Sequence, residues 1–306
     1  MLESRFMTGN KVFAWIKAAR MPSFFYLLPP FALGLLLACK EGAFWSESLF
    51  SIGILYIFFL QLFIVFANDL ADVETDELNE NPTIFSGGSR VLVHSLLSVK
   101  ELITGSLSTL IVTIILVCVL AYKTGSVSVL GLGFMGPFLL WIYSYEPFKL
   151  SYRGGGELLQ ALGLSFVLPL LGFKVFGGNQ LSQCLLVGFV SFPTQLACAM
   201  TTAIPDAVSD AKSHKNTFVV MLGPGYSCLI ILSLHILSDF LAFLFLAQGL
   251  LFSGIAYSLL ALVLPQLVLI TCLILSFFRR SIFFFVFFSI AHVFSLVAYF
   301  IWLTLI

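Results

Sequence analysis

Charge is scarce in this chain. Of its 306 residues, 10% are Asp, Glu, Lys or Arg and 60% are hydrophobic, whereas soluble domains carry about 25% charged residues. A chain this long with so little polar surface does not make a water-soluble globule. It also lacks the low hydrophobicity and high charge of a disordered one. Net charge is missing too: fifteen basic residues offset fifteen acidic ones. No basic excess and no RNA-type aromatic motif marks a nucleic-acid partner. Cysteines number six: Cys39, Cys118, Cys184, Cys198, Cys228 and Cys272. They are dispersed through apolar runs, with no CxxC and no paired Cys/His spacing, and read as small packing residues. Neither a nucleophile–His–acid arrangement nor a phosphate-cradling P-loop occurs. The alternating ten-residue segments of a membrane barrel are absent as well.

What the chain has is long apolar runs. Nine are long enough to cross a bilayer, which takes about 20 residues each. They cover roughly 21–39, 49–66, 102–122, 127–143, 158–176, 184–204, 219–246, 254–277 and 283–303. Without water to satisfy the backbone, each is expected to be a helix. The first run follows Arg5, Lys11, Lys17 and Arg20 as a signal peptide would. It has no small-residue cleavage site and carries Pro29-Pro30 mid-run, so it reads as a mature span. The expected fold is therefore an all-α integral membrane protein of nine transmembrane helices. Residues 1–306 form one domain, with 1–20 as a cytoplasmic N-terminal segment.

The basic residues orient it. Nine spans put Arg5, Lys11, Lys17, Arg20, Arg90, Lys100, Lys149, Arg153, Lys212, Lys215, Arg279 and Arg280 on one side, and Lys40, Lys123 and Lys174 on the other. Twelve against three is a strong positive-inside bias. The loops after spans two, four, six and eight are expected to be cytoplasmic, in a multi-pass protein of a bacterial or archaeal cytoplasmic membrane.

Acidic residues gather on that same side. Asn68-Asp69-x-x-Asp72-x-x-x-Asp76 follows span two and Asp206-x-x-x-Asp210 follows span six. Spacings of three and four place Asp69, Asp72 and Asp76 on one face of a continuous helix, where like charges repel. A divalent cation relieves that repulsion. Hard carboxylate oxygens suit Mg²⁺, which takes a few carboxylates together with substrate phosphate oxygens. Arg90 follows the first cluster, and Lys212 and Lys215 follow the second. Paired acidic clusters with flanking cations make a diphosphate site, in which metals neutralise the phosphates and cations stabilise the leaving group. A secondary transporter would instead carry its charges near the midplane on broken helices.

These motifs resemble the UbiA-type prenyltransferase superfamily. Ala19-Arg20 and Pro29-Pro30 resemble the family's opening segment. Tyr143-Ser-Tyr145-Glu-Pro147-Phe-Lys149-Leu-Ser-Tyr152-Arg153-Gly154-Gly-Gly156-Glu157 resembles the loop after span four in quinone-forming members, most like the 1,4-dihydroxy-2-naphthoate polyprenyltransferases. Lys215-Asn-Thr217-Phe-Val-Val-Met-Leu-Gly223 resembles the stretch after the second motif.

The resemblance implies helices around a central cavity. It implies Mg²⁺-dependent transfer of a polyprenyl chain from an allylic diphosphate to a small aromatic or lipid acceptor, as in menaquinone and other quinone biosynthesis. Two Mg²⁺ ions are implied: one on Asn68, Asp72 and Asp76 with Asp69 as a less central member, and one on Asp206 and Asp210. Lys215, Arg153 and Lys149 are implied to contact the diphosphate, with Arg90 brought toward the metals by a turn at Gly87-Gly88. Tyr143 or Tyr145 would face the allylic cation. Alternative acceptors are 4-hydroxybenzoate, a chlorin, a carotenoid or a glycerol lipid. His214 stands where the family often has Gly, and reads as a neutral substitution. Asp239 with His235, four residues earlier on one helix face, reads as an interfacial pair. His292 reads as a packed polar residue.

The orientation is testable directly. A cysteine at Ser213 is expected to react with an impermeant thiol reagent only in inside-out vesicles, and one at Ser126 only from the opposite side. Labelling of both from one side contradicts the nine-span count.

Overall fold

The computed structural model describes residues 11–80, 82–83, 87–251 and 258–306. Arg5, and Asn81, Ile84, Phe85 and Ser86 of the first motif's tail, lie outside these residues, as does Gly254, where the eighth run was expected to begin. Among the described residues nine helices are long and apolar enough to span a membrane, and no strand occurs.

The nine are α1 (Phe24–Lys40), α2 (Glu47–Ala71), α3 (Val99–Thr124), α4 (Val127–Ser144), α5 (Gly156–Val175), α6 (Leu181–Ala203), α7 (Pro224–Ala247), α8 (Ser258–Phe278) and α9 (Ile282–Leu305). All nine expected spans are present. The seventh starts later than its hydropathy suggests. Phe218–Leu222 is a separate short helix, Gly223 follows with φ 80°, and Pro224 opens α7 at the first helical position, where its missing N–H costs nothing. Proline also shapes α5, which passes through a π-helical turn at Gly163–Val167 just ahead of Pro169.

Helices adjacent in sequence pack against one another around the bundle, and α9 returns to α1. The most extensive further contacts are those of α1 with α5 and of α6 with α9. The first is a backbone-to-backbone approach. A Cβ at Gly34 would stand 1.8 Å from the Pro169 carbonyl oxygen, and one at Gly172 would stand 2.1 Å from that of Phe31. Lipid supplies no hydrophobic force between helices, so close contact of small residues has to hold them.

A buried polar chain does the same for α6, α7 and α9. Asp239 Oδ2 lies 2.9 Å from His292 Nε2, and His292 Nδ1 lies 3.3 Å from Thr194 Oγ1. Thr194 continues to His235 Nδ1 at 2.7 Å, His235 Nε2 to Ser289 Oγ at 2.8 Å, and Ser289 to Thr201 Oγ1 at 2.7 Å. The expected pairing of Asp239 with His235 is therefore corrected: the carboxylate takes its imidazole from α9. Unpaired polar groups are costly in hydrocarbon. Linking each to a neighbouring helix removes the cost and fastens the helices together.

The approach to α1 from the N-terminal side is broken rather than straight. A helix over 11–18 stops, Arg20 adopts a left-handed conformation (φ 42°), and a single turn at Met21–Ser23 leads into α1. This break aims Arg20 across the end of α2.

The α1–α5 contact carries a prediction. Gly172→Val inserts a branched side chain where the Phe31 carbonyl stands, and overpacking of this kind costs about 1–3 kcal/mol. The melting midpoint of the detergent-purified protein is expected to fall by several degrees; an unchanged midpoint contradicts the contact.

Candidate active site

The first acidic motif does not lie on one helix. Helix α2 ends at Ala71, Asp72 takes a non-helical conformation (φ −102°, ψ 10°), and a new short helix covers Val73–Leu78. Asp69 thus belongs to α2, Asp72 to the break and Asp76 to the second helix. The expectation of one continuous face is corrected, and electrostatics gives the reason. Three carboxylates stacked on a helix repel one another, whereas a break lets each one find its own partner.

Asp69 is 3% exposed and is paired with Arg20, with the Ser89 hydroxyl donating to its other oxygen. Asp72 is the most heavily engaged. Its Oδ2 accepts from Asn68 Nδ2 at 3.0 Å and Lys215 Nζ at 2.9 Å, and its Oδ1 accepts from the Tyr152 hydroxyl at 3.1 Å. Asp76 is buried against Gly88, where a Cβ would stand 1.9 Å from Asp76 Oδ2 and 2.9 Å from Arg20 Nη2. Gly88 has φ 67°, so both space and backbone demand glycine here.

The second motif stands across from the first. Asp206 precedes the short helix Ala207–Lys212, which carries Asp210. Asp206 accepts from Asn79 Nδ2 at 2.7 Å and from the Gly87 N–H at 3.1 Å. Asp210 presents its carboxylate to Lys215 Nζ at 4.0 Å. One ammonium, 8% exposed, thereby stands between the two motifs.

The chain beyond this helix explains how Lys215 gets there. The His214 N–H donates to the Ala211 carbonyl (3.3 Å) and the Lys215 N–H to the Asp210 carbonyl (2.8 Å). This is the two-bond motif that ends helices through a left-handed residue. That residue is His214, at φ 58°. A family preference for Gly at this place follows from the backbone, and His occupies it at a modest conformational cost.

Other expected site residues fall as follows. Arg90, itself left-handed (φ 58°), turns back so that Nη1 donates to the carbonyls of Asp76 and Asn79 at 2.9 and 2.8 Å, capping the short helix. Tyr145 donates to the Ala67 carbonyl at 2.7 Å, fixing the end of α2. Tyr143 lies with its ring edge against Gly156. Lys149 Nζ sits 3.9 Å from the centroid of the Tyr152 ring. Arg153 turns outward. It is more than half exposed, pairs with Glu146 at 2.8 Å and donates to the Pro147 carbonyl at 2.5 Å, so it has the acidic partner that sequence did not suggest.

Sequence reasoning missed Arg20, Tyr152, Ser89 and Asn79 as parts of the site. Arg20 carried one signal, a cation directly ahead of the first span. Glu157 reads from sequence only as part of a loop; buried at the start of α5, it accepts from the Phe218 N–H at 2.7 Å and ties two loops together.

The UbiA prenyltransferase family matches residues 27–289. The chain belongs to that family. Its fold agrees with solved UbiA structures. A UbiA homologue from Archaeoglobus fulgidus, bound to GPP and Mg²⁺, aligns with a TM-score of 0.68 over 93% of this chain and 99% of that one, at 16% identity. Digeranylgeranylglyceryl phosphate synthase aligns with 0.67 over 96% and 98%, at 15% identity. An apo UbiA homologue from Aeropyrum pernix K1 aligns with 0.60 over 88% and 97%, at 16% identity. At these identities the likeness concerns the fold. No curated protein sequence matches the chain.

The electrostatics of this UbiA site favour a cation. Burial pushes the Asp76 carboxyl up to about 7, with Arg20 opposing and Asp69 and Asp72 reinforcing the rise. Burial likewise raises Asp210 to about 7, against the pull of Lys215. Burial works against the Lys215 ammonium, but Asp72 and Asp210 hold its pKa above the usual lysine range. Among the described residues no three His, Cys, Asp or Glu side chains gather closely enough to hold a metal ion by themselves. Mg²⁺ keeps waters and substrate oxygens in its shell and uses only one or two carboxylates. The donor set, carboxylates with the Asn68 carboxamide, is chemically right for it.

Linkage gives a pH prediction. Both carboxyls have folded values above the unfolded value of about 3.9. Ionising them therefore costs stability, which is lost above pH 7 and recovered as pH falls through 7. The melting midpoint of metal-free protein is expected to drop from pH 6 to pH 8, and saturating Mg²⁺ to flatten that drop. A midpoint that rises over this range without metal contradicts the assignment.

Proposed function

We propose that this chain is a Mg²⁺-dependent polyprenyltransferase. In this reading it moves an isoprenoid chain from an allylic diphosphate to an aromatic quinone precursor of the 1,4-dihydroxy-2-naphthoate type, releasing diphosphate, in menaquinone biosynthesis. The observation that carries the reading is Lys215, whose ammonium stands between Asp72 of the first motif and Asp210 of the second. In this reading both acidic motifs serve one site. The relatives solved with GPP or DMAPP and Mg²⁺ support the donor and the metal, and the loop Tyr143–Glu157 supports the acceptor class.

Asn68, Asp72 and Asp76 would hold one ion, and Asp206 and Asp210 the second. Asp69 is committed to Arg20 and Ser89 and stands behind them. When bound, the metal neutralises the phosphate oxygens and draws electron density toward the leaving group. Lys215 leaves Asp72 for the diphosphate and offsets charge that grows there as the C1–O bond breaks. Lys149 approaches from the loop after α4, and Arg153 reaches the diphosphate by giving up Glu146. Tyr143 and Tyr145 offer ring faces to the allylic cation. The electron-rich acceptor carbon then bonds to C1, and its substituent departs as a proton, or as CO₂ from a carboxylate, leaving the bonding electrons to restore the aromatic ring. The charge asymmetry of the loops supports a site on the cytoplasmic face.

The test is incubation of membranes with labelled geranyl diphosphate and a panel of acceptors, with lipid-product identification. Prenylated naphthoate product is expected with Mg²⁺ and none with a chelator. Asp72→Asn and Asp210→Asn are each expected to lower turnover at least about 10²-fold while the protein remains folded. Near-normal turnover by metal-replete Asp72→Asn sinks the metal assignment; product with another acceptor alone replaces the acceptor and keeps the chemistry.

A further inference from the structure

Tyr152 touches the working parts of all three loops at the rim. It sits on the short helix Leu150–Arg153, in the loop after α4. Its hydroxyl donates to Asp72 Oδ1 at 3.1 Å and lies 3.0 Å from Thr75 Oγ1, both in the first acidic motif. Thr75 Oγ1 is in turn 2.9 Å from Ser213 Oγ, beside the second motif. The Tyr152 carbonyl accepts from the Asn216 N–H at 3.1 Å, next to Lys215. Two ammonium groups approach its ring: Lys149 Nζ at 3.9 Å and Lys215 Nζ at 5.5 Å from the centroid.

These contacts divide into two chemistries. The hydroxyl fixes the free oxygen of Asp72, so that the other oxygen points at Asn68 and Lys215. The ring does something a carboxylate in its place does not. Lys149 and Lys215 repel each other, and a carboxylate between them would compete with the diphosphate for both. An aromatic face attracts ammonium groups within about 6 Å through its quadrupole, at low energetic cost to their later departure. It keeps two cations near the site and ready to transfer to an incoming anion.

We propose that Tyr152 is the positioning residue of this site: its hydroxyl sets Asp72 for the metal, and its ring stations Lys149 and Lys215 for the diphosphate. The inference rests on the function proposed above.

The two halves separate experimentally in the full-length purified protein. The probes are Mn²⁺ alone, followed by electron paramagnetic resonance, and geranyl diphosphate turnover at saturating Mg²⁺. Tyr152→Phe keeps the ring and removes the hydroxyl. It is expected to weaken Mn²⁺ binding about tenfold, as loss of an outer partner of a metal ligand does, while the KM for geranyl diphosphate stays within about threefold. The ring is then tested by placing phenylalanine with one, two or three ring fluorines at position 152. Fluorination empties the π face with little change of shape. The KM for geranyl diphosphate is expected to climb stepwise, to about tenfold at three fluorines, with Mn²⁺ affinity, melting midpoint and acceptor KM unchanged from Tyr152→Phe.

A flat KM across the fluorinated series overturns the ring's role. Unweakened Mn²⁺ binding in Tyr152→Phe overturns that of the hydroxyl. Losses that simply follow the melting midpoint overturn both and leave Tyr152 a packing residue. Wild-type protein that neither binds nor turns over geranyl diphosphate refutes the underlying function itself, whereas active wild type with unaffected variants refutes only this inference.

Discussion

The constraint on which everything else here depends is the gathering of carboxylates at the rim of an apolar bundle. Asp69, Asp72, Asp76 and Asp210 are each at most 8% exposed. Burial makes their charges expensive, and proximity makes them mutually repulsive. Such a group stays assembled only if cations or protons accompany it. The fold supplies both: Arg20 on Asp69, Lys215 on Asp72 and Asp210, and carboxyls whose proton affinity is raised into the neutral range. The result is a site that is charge-balanced before any ligand arrives and that a dication and a diphosphate can rebalance by exchange.

Much of the irregular structure on this face serves that balance. The break between α2 and Val73–Leu78 turns three stacked charges into three separately partnered ones. Left-handed residues at Arg20, Gly88, Arg90 and His214 are where the chain reverses to bring a cation, or to admit a carboxylate, at the rim. Backbone conformations of this kind cost energy and persist where the surroundings demand them. Below the rim the demand is different. Glycine contacts between α1 and α5 and the polar chain through Asp239, His292, Thr194 and His235 lock the helices where hydrophobicity supplies no force. The loops can then exchange partners over a rigid base.

The spans were legible in the sequence because hydropathy over twenty residues is a strong, local signal, and the motif residues because carboxylates are rare in so apolar a chain. What was not legible depends on contacts between loops. Periodicity put Asp69, Asp72 and Asp76 on one helix face because it has no way to weigh their repulsion against a break. Asp239 looked like a partner for His235 by spacing alone, yet the nearer imidazole comes from α9. Arg153 looked free until Glu146 was seen beside it. Tyr152 stands inside the loop after α4 with no signal of its own, because its contacts arise only when three loops, distant in sequence, meet. His214 shows the converse: an apparent departure from family pattern is explained once its φ is known.

The central claim is that the two acidic motifs form one dinuclear site. Electron paramagnetic resonance of the protein loaded with Mn²⁺ and geranyl diphosphate tests it most directly. Metal ions that clamp one diphosphate in two-metal sites stand about 4 Å apart, close enough for strong magnetic coupling. The account predicts two Mn²⁺ ions per chain with the spectrum of a coupled pair, reduced to a single isolated ion by Asp206→Ala with Asp210→Ala. Two uncoupled ions, or a second motif whose removal leaves the spectrum unchanged, would contradict it.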